Sequence, residues 1–117
     1  MKTAHDLVIA AKSRVQEIAI DQAEDAIRDA DVLVDVREVH EHQIGNIPYA
    51  KLIPLGELPK RVSELNPAEE IVVHCKSGMR SAKACDFLRQ SGFTKVKNMK
   101  GGILLWSDKV DSSVPKY

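Results

Sequence analysis

The stretch EIVVHCKSGMRSAKACDFLRQSG (70–92) decides the fold. Its apolar run of residues 71–73 is short and β-branched, the pattern of a strand buried on both faces. KSGMR (76–80) reads as a loop. Ser81 through Gln90 reads as a helix, with Ala84, Cys85 and Leu88 along one side and Gly92 as its closing residue. Upstream, VLVDV (32–36) repeats the buried-strand pattern, with Asp35 near its C-terminal end. VQEIAI (15–20) alternates and predicts a further short strand. Asp21 stands three residues before Glu24, the spacing of a capping box, and predicts a helix from Gln22 to Arg28. Downstream, TKVKNM (94–99) predicts a strand, Gly101-Gly102 a turn, and ILLWSDKV (103–110) a helix. The segment between residues 38 and 62 carries Gly45, Pro48, Pro54, Gly56 and Pro59 and reads mostly as loop, with a short strand at AKLIP (50–54). Leu58 through Leu65 predicts a short helix closed by Asn66-Pro67. Short apolar strands alternating with helices predict an α/β fold with a mainly parallel sheet. Ligands bind such sheets beyond the C-terminal strand ends, where Asp35 and Cys75 both lie.

The remaining chain adds little complexity. Its 117 residues predict one core. Residues 1–14 read as an added helix, with Leu7, Val8, Ala11 and Val15 at helical spacing, and residues 15–117 as the main domain. Lys plus Arg and Asp plus Glu number 17 each, so no strong global attraction to nucleic acid or to an anionic membrane is expected. No apolar run approaches the roughly 20 residues that cross a bilayer. The VIAA stretch near the start is shorter than the roughly 7–15 apolar residues of a signal-peptide core. Two cysteines, Cys75 and Cys85, can build neither a disulfide scaffold nor a four-thiolate zinc site. A cytoplasmic protein with reduced thiols is expected.

Cys75 is the candidate nucleophile. It leaves a buried strand just before a loop that opens a helix, where free backbone N–H groups and the helix's positive end favour a thiolate. Gly78 lets the backbone turn, and successive amides in such a loop form a nest for negative charge. Lys76 and Arg80 add positive charge. A structural Cys needs neither the glycine nor the charges. His74 should face away from Cys75, because neighbouring strand residues point to opposite sides. Cys85, on the helix face with Ala84 and Leu88, reads as a small buried hydrophobe.

Three stretches together resemble a known family: VLVDVREVHEHQIGNIPYAKLIPL, IVVHCKSGMRSAKACDFLRQSGF and VKNMKGGILLW. In this order and spacing they are similar to a single rhodanese-like sulfurtransferase domain, over roughly residues 16–115. The ending GGILLWSDKVDSSVPKY resembles the branch fused behind adenylylating enzymes of molybdenum-cofactor and thiamine sulfur transfer. The module is expected to stand without that adenylylating domain. The resemblance implies a central, mainly parallel sheet of about five short strands flanked by helices. It implies that Cys75 takes a sulfane sulfur as a covalent persulfide and passes it to a thiophilic acceptor, in a ping-pong cycle needing no cofactor. The donor would be small and anionic, such as thiosulfate or a polysulfide, or else another protein's persulfide; a sulfur-carrier protein is an implied partner.

The loop amides of Lys76, Ser77, Gly78, Met79 and Arg80 would stabilise the thiolate and the persulfide. Ser77 would offer its hydroxyl to the sulfur, Arg80 would hold the donor or fix the loop, and Ser81 would cap the helix. Asp35 would accept loop hydrogen bonds, and Arg37 would pair with Glu41 or, failing that, Glu38. Where the family often has Gly-His-Ile-Pro-Gly-Ala, this chain has Gly45-Asn46-Ile47-Pro48-Tyr49-Ala50, with an effect on packing or on a pocket wall expected at Tyr49.

Two rivals are weighed. A cysteine-loop phosphatase or arsenate reductase uses Cys, five residues, then Arg; here four residues separate Cys75 from Arg80, a smaller cradle suited to one sulfur. A non-catalytic binding module of the same fold would need neither Cys75, Gly78 nor Arg80, whereas a relay between partner proteins would keep the Cys75 chemistry with weak activity on thiosulfate.

Overall fold

The computed structural model describes residues 15–117, and the helix expected over residues 1–14 lies outside the described residues. Five strands form one sheet: β1 (Glu17–Ile18), β2 (Val32–Asp35), β3 (Lys51–Leu52), β4 (Ile71–His74) and β5 (Val96–Met99). Their order is β1-β5-β4-β2-β3, and every neighbouring pair is parallel. The helices are α1 (Ile20–Asp29), α2 (Val39–Ile44), α3 (Leu58–Arg61), α4 (Met79–Gln90) and α5 (Gly102–Lys109). The expected α/β class with a five-stranded parallel sheet is the one observed.

Alternation along the strands divides the core into two layers. Val34, Val73, Cys75 and Val96 pack with Ala84, Cys85 and Leu88 of α4 on one face. Leu33, Val72 and Met99 pack with Ala23 of α1 and Ile103 and Trp106 of α5 on the other. Full burial of a side chain such as Leu88 or Ile103 contributes about 1.5–3 kcal/mol, so these layers hold the sheet in register. Asp35 lies opposite His74 in the β2–β4 pairing. The loops that follow β2 and β4 therefore leave the sheet side by side.

Several local expectations change. The 38–62 segment is not mostly loop: it contains α2, the short α3 and a 3-10 turn at Leu55–Glu57. Glycine and proline weigh heavily in a sequence reading, but the Glu38 N–H donates to Glu41 Oε1 at 2.9 Å and starts α2 before Gly45 ends it. The capping box expected at Asp21 and Glu24 is absent, because α1 starts at Ile20, two residues before the expected Gln22, with Ala19 as its N-cap. Asp21 instead sits in the first turn, where a carboxylate complements the helix dipole. The helix expected over 58–65 breaks into α3 and a 3-10 turn at Val62–Glu64. α4 begins at Met79, two residues before the expected Ser81.

Candidate functional site

The loop after β4 wraps around the sulfur of Cys75. The Gly78 N–H donates to Sγ at 3.1 Å, and the Ser81 hydroxyl donates to it at 3.3 Å. Both donors come from the start of α4, whose N-cap is Gly78. Gly78 has φ +107°, a left-handed conformation that an L side chain would strain. Cys75 itself is only 1% exposed, so the loop nearly closes over it.

Other elements hold the loop in this shape from outside. The Cys75 carbonyl accepts the Ile103 N–H at 2.9 Å, and the Lys76 carbonyl accepts the Leu104 N–H at 3.2 Å. The first turn of α5 thus draws the loop carbonyls away from the sulfur. Gly102 makes the approach feasible, since a Cβ there would lie 2.4 Å from the Lys76 oxygen and 2.5 Å from the Cys75 oxygen. Asn98, fully buried on β5, donates from Nδ2 to the Gly78 carbonyl at 3.2 Å and to Glu17 Oε2 at 3.1 Å. Neither Asn98 nor Gly102 was singled out by sequence reasoning. The double glycine before Trp106 was the available signal for one; a lone Asn in a short strand was a weak signal for the other.

Arg80 turns toward α2. Its Nη1 and Nη2 donate to Glu41 Oε1 and Oε2 at 2.7 and 2.9 Å. These hydrogen bonds hold the Glu41 carboxyl at about 2, against the opposing effect of burial. Arg80 therefore fixes the loop, one of its two expected roles, and its partner is the residue expected for Arg37.

Arg37 pairs with neither Glu41 nor Glu38. It folds back on Asp35, with Nε 3.0 Å from Oδ1 and Nη2 2.8 Å from Oδ2, and both side chains are fully buried. Its remaining donors reach the carbonyls of Gly45 at 2.7 Å, Glu41 at 3.5 Å, and Tyr117. The fully buried Asp35 carboxylate demands a partner, and Arg37, two residues on, supplies it, while Glu41 takes Arg80 instead. Asp35 also accepts the Arg37 N–H at 3.0 Å, as expected of a carboxylate receiving loop backbone. His42 Nδ1 lies 2.9 Å from Asp35 Oδ2, and His74 Nε2 lies 4.0 Å from it. Burial raises the Asp35 carboxyl, but the Arg37 hydrogen bonds, His74 and His42 outweigh it and hold it at about 2. Burial drives the His74 imidazole down to about 4.

Other candidates separate clearly. Ser81 is not the helix cap; its hydroxyl serves the sulfur, because α4 starts two residues earlier than expected. Ser77 is exposed and makes no hydrogen bond to Sγ. Lys76 and Met79 are exposed at the loop rim. Cys85 is fully buried against α4's sheet face, and burial, reinforced by the Cys75 sulfur, pushes its thiol well above the ordinary range. Asn46 donates to the His42 carbonyl at 3.0 Å. Tyr49 is fully exposed with φ +69°, so its side chain forms no packed wall.

Two hydrogen bonds from the start of a helix converge on this one buried sulfur, an arrangement able to stabilise charge on it. Comparison with known proteins extends this geometry. The family model "Rhodanese-like domain" matches residues 19–109. The chain is 37% identical over 108 residues to the Rhodanese-like/PpiC domain-containing protein 12, chloroplastic, of Arabidopsis thaliana, covering 89% of this chain and 36% of that protein. It thus spans about a third of that relative's length. It is 41% identical over 76 residues to a protein named sulfurtransferase from Allochromatium vinosum, covering 65% of this chain and 71% of the relative. Among solved structures, a rhodanese-related protein from Thermoplasma volcanium superposes with a TM-score of 0.75 at 32% identity, over 81% of this chain and 93% of that one.

Proposed function

The chain belongs to the rhodanese-like domain family, and from that membership and the loop geometry we propose that it is a sulfurtransferase working through a Cys75 persulfide. The carrying observation is the pair of donors, Gly78 N–H and Ser81 Oγ, converging on Sγ at the start of α4. The name of the Allochromatium relative supports sulfur transfer as the reaction class.

In the first half-reaction the Cys75 thiolate attacks the outer sulfur of an anionic donor such as thiosulfate. The Sγ–S bond forms, the donor's S–S bond breaks, and sulfite leaves with the electron pair. In the second, an acceptor nucleophile takes the outer sulfur and the Cys75 thiolate departs. Cyanide is the assay acceptor; in the cell a thiol, free or on a partner protein, fills that role. The loop donors hold charge on Sγ at both ends of the cycle and need little reorganisation between them. The catalytic residue is Cys75. The Gly78 amide and the Ser81 hydroxyl donate to its sulfur, the loop from Lys76 to Arg80 surrounds it, and Asp35, Arg37 and Glu41 hold the neighbouring loops. Arg80, with two nitrogens engaged by Glu41, is not aimed at a phosphate-sized ligand, which weighs against phosphatase chemistry. Cys75 must return to a free thiol at the end of each cycle, which suits a reducing compartment such as the cytoplasm.

Incubation with thiosulfate should add one sulfur, about 32 Da, and cyanide should remove it. Cys75→Ser should abolish the adduct, and Cys85→Ser should retain it. An adduct that persists in Cys75→Ser would overturn the assignment.

A further inference from the structure

The segment after α5, residues 111–117, is held at three points, and its last residue reaches the Cys75 loop. Val114 is buried in the α1/α5 core layer. Pro115 packs on Gly45, where a Cβ would come within 2.6 Å of the proline ring. Arg37, itself fully buried, donates from Nη1 to the Tyr117 carbonyl. With its backbone held, the Tyr117 ring meets the loop. Lys76 Nζ lies 5.6 Å from the ring centroid, and the His40 ring packs edge-on at 6.4 Å.

The cations around the loop differ in what they can still attract. Arg37 is matched by Asp35 and Arg80 by Glu41. Lys76, directly after Cys75, has no carboxylate partner among the described residues, and what it meets instead is an aromatic face. A carboxylate would neutralise its charge. A ring face narrows the range of the flexible lysine stem and leaves the charge in place.

We infer that Tyr117 is a positioning residue that holds Lys76 at the mouth of the Cys75 loop, so that anionic reagents reach the sulfur in preference to neutral ones. The identity of the anion as a sulfur donor rests on the persulfide reading above; the charge preference does not.

Two alkylating agents separate these points, because iodoacetate and iodoacetamide form the same kind of Sγ–C bond with loss of iodide and differ in charge. Their rate ratio at Cys75, followed by mass spectrometry on the full chain, reads the field at the mouth. Lys76→Met and Tyr117→Ala should each lower the iodoacetate-to-iodoacetamide ratio about three- to tenfold, the range of a modest cation–π contact. Tyr117→Phe, which keeps the ring, should restore it. In the same variants the KM for thiosulfate should rise by a similar factor, with kcat changing less than about twofold. Tyr117→Leu keeps apolar bulk without a ring face and should behave as Tyr117→Ala, which covers the case of an unfolded alanine variant. A ratio lowered by Lys76→Met but unmoved by Tyr117→Leu would overturn the positioning role, and a ratio unmoved by either would overturn the whole inference. A parent that shows this ratio pattern yet takes no sulfur from thiosulfate would support the charged mouth and remove the persulfide reading.

Discussion

The guanidinium of Arg80 and the carboxylate of Glu41 meet side by side, through two hydrogen bonds of 2.7 and 2.9 Å, and so tie the first turn of α4 to α2. That turn carries both donors to the Cys75 sulfur, with Gly78 and Ser81 flanking Arg80. The pair therefore sets where the donors stand relative to the end of β4. It is also the reason α2 matters to the site, although none of its residues contacts Sγ.

Arg80→Lys keeps the charge and loses the planar fork. Sulfur transfer from thiosulfate to cyanide should fall about tenfold, equivalent to about 1.4 kcal/mol in the barrier. Urea unfolding should show a loss of about 1–2 kcal/mol, below the range for a fully buried pair because Arg80 is about a third exposed. A folded Arg80→Lys variant with the parent's rate would show that the tie does not govern the donors.

Stability should depend on acid in two stages. His74 is held at about 4, below its ordinary 6.5, because burial disfavours the imidazolium. The unfolded chain takes up this proton first, so the stabilisation is complete above pH 6.5 and is lost as pH falls through about 4. Asp35 and Glu41, held at about 2 against ordinary values of 3.8 and 4.5, add a second stage below pH 4.5. His74→Leu should remove the first stage, worth up to roughly 2–3 kcal/mol, and leave stability nearly level between pH 6.5 and 4.5. His74 Nδ1 lies 3.3 Å from the Cys75 carbonyl oxygen, which retains the Ile103 N–H when the imidazole is removed. Urea midpoints measured across this range would decide, and a parent-like slope in the variant would assign the first stage to other groups.

What the sequence made legible follows from how local each signal is. The runs at 32–36 and 71–73, the helix after Gly78 and the placing of Cys75 between them rest on burial periodicity and on one glycine, all read within a few residues. Arg37 was misassigned because its choice among Asp35, Glu38 and Glu41 depends on which carboxylate is buried deepest, a property of the assembled sheet. Ser81 was read as a cap because the start of α4 was set two residues late, and moving that start turns its hydroxyl onto the sulfur. Asn98 and Gly102 act on a loop 20 or more residues away in sequence, through contacts that no local pattern carries.

Glycines with similar backbone angles should respond differently to alanine. Gly92, at φ +98°, faces open space, so Gly92→Ala should lose only about 1–2 kcal/mol of stability from backbone strain and keep its sulfur-transfer rate. Gly102, at φ +58°, would press a Cβ onto the carbonyls of Cys75 and Lys76. Gly102→Ala should add its own left-handed backbone strain, displace the loop, and lower transfer by more than about tenfold, a barrier change above about 1.4 kcal/mol. Thermal unfolding and transfer rates on both variants provide the comparison. Equal rates in the two would mean that the α5 contact does not shape the loop.

The two serines that bracket the loop offer the sharpest separation of roles. Ser81 Oγ lies 3.3 Å from Cys75 Sγ in a buried setting, whereas Ser77 is exposed and makes no such bond. A hydrogen bond to a charged acceptor contributes about 1.5–3 kcal/mol, and where the acceptor is the reacting sulfur this stabilisation bears on the thiolate and on the thiolate leaving group alike. Removing the Ser81 hydroxyl leaves Gly78 N–H as the remaining donor to Sγ among the described residues. Ser81→Ala should therefore lower transfer by about ten- to a hundredfold, matching that energy in the barrier. Ser77→Ala should stay within about twofold of the parent, since no donor is lost. Ser81→Cys retains a weak donor of similar size and should fall between the two. The effect should appear in kcat more than in KM, because Ser81 touches the sulfur and not the donor's charged end. Rates and thermal midpoints for the three variants supply the measurement. A Ser77→Ala variant as impaired as Ser81→Ala, with both folded, would show that the loop rearranges when it works and that the hydroxyl on Sγ is not Ser81's alone.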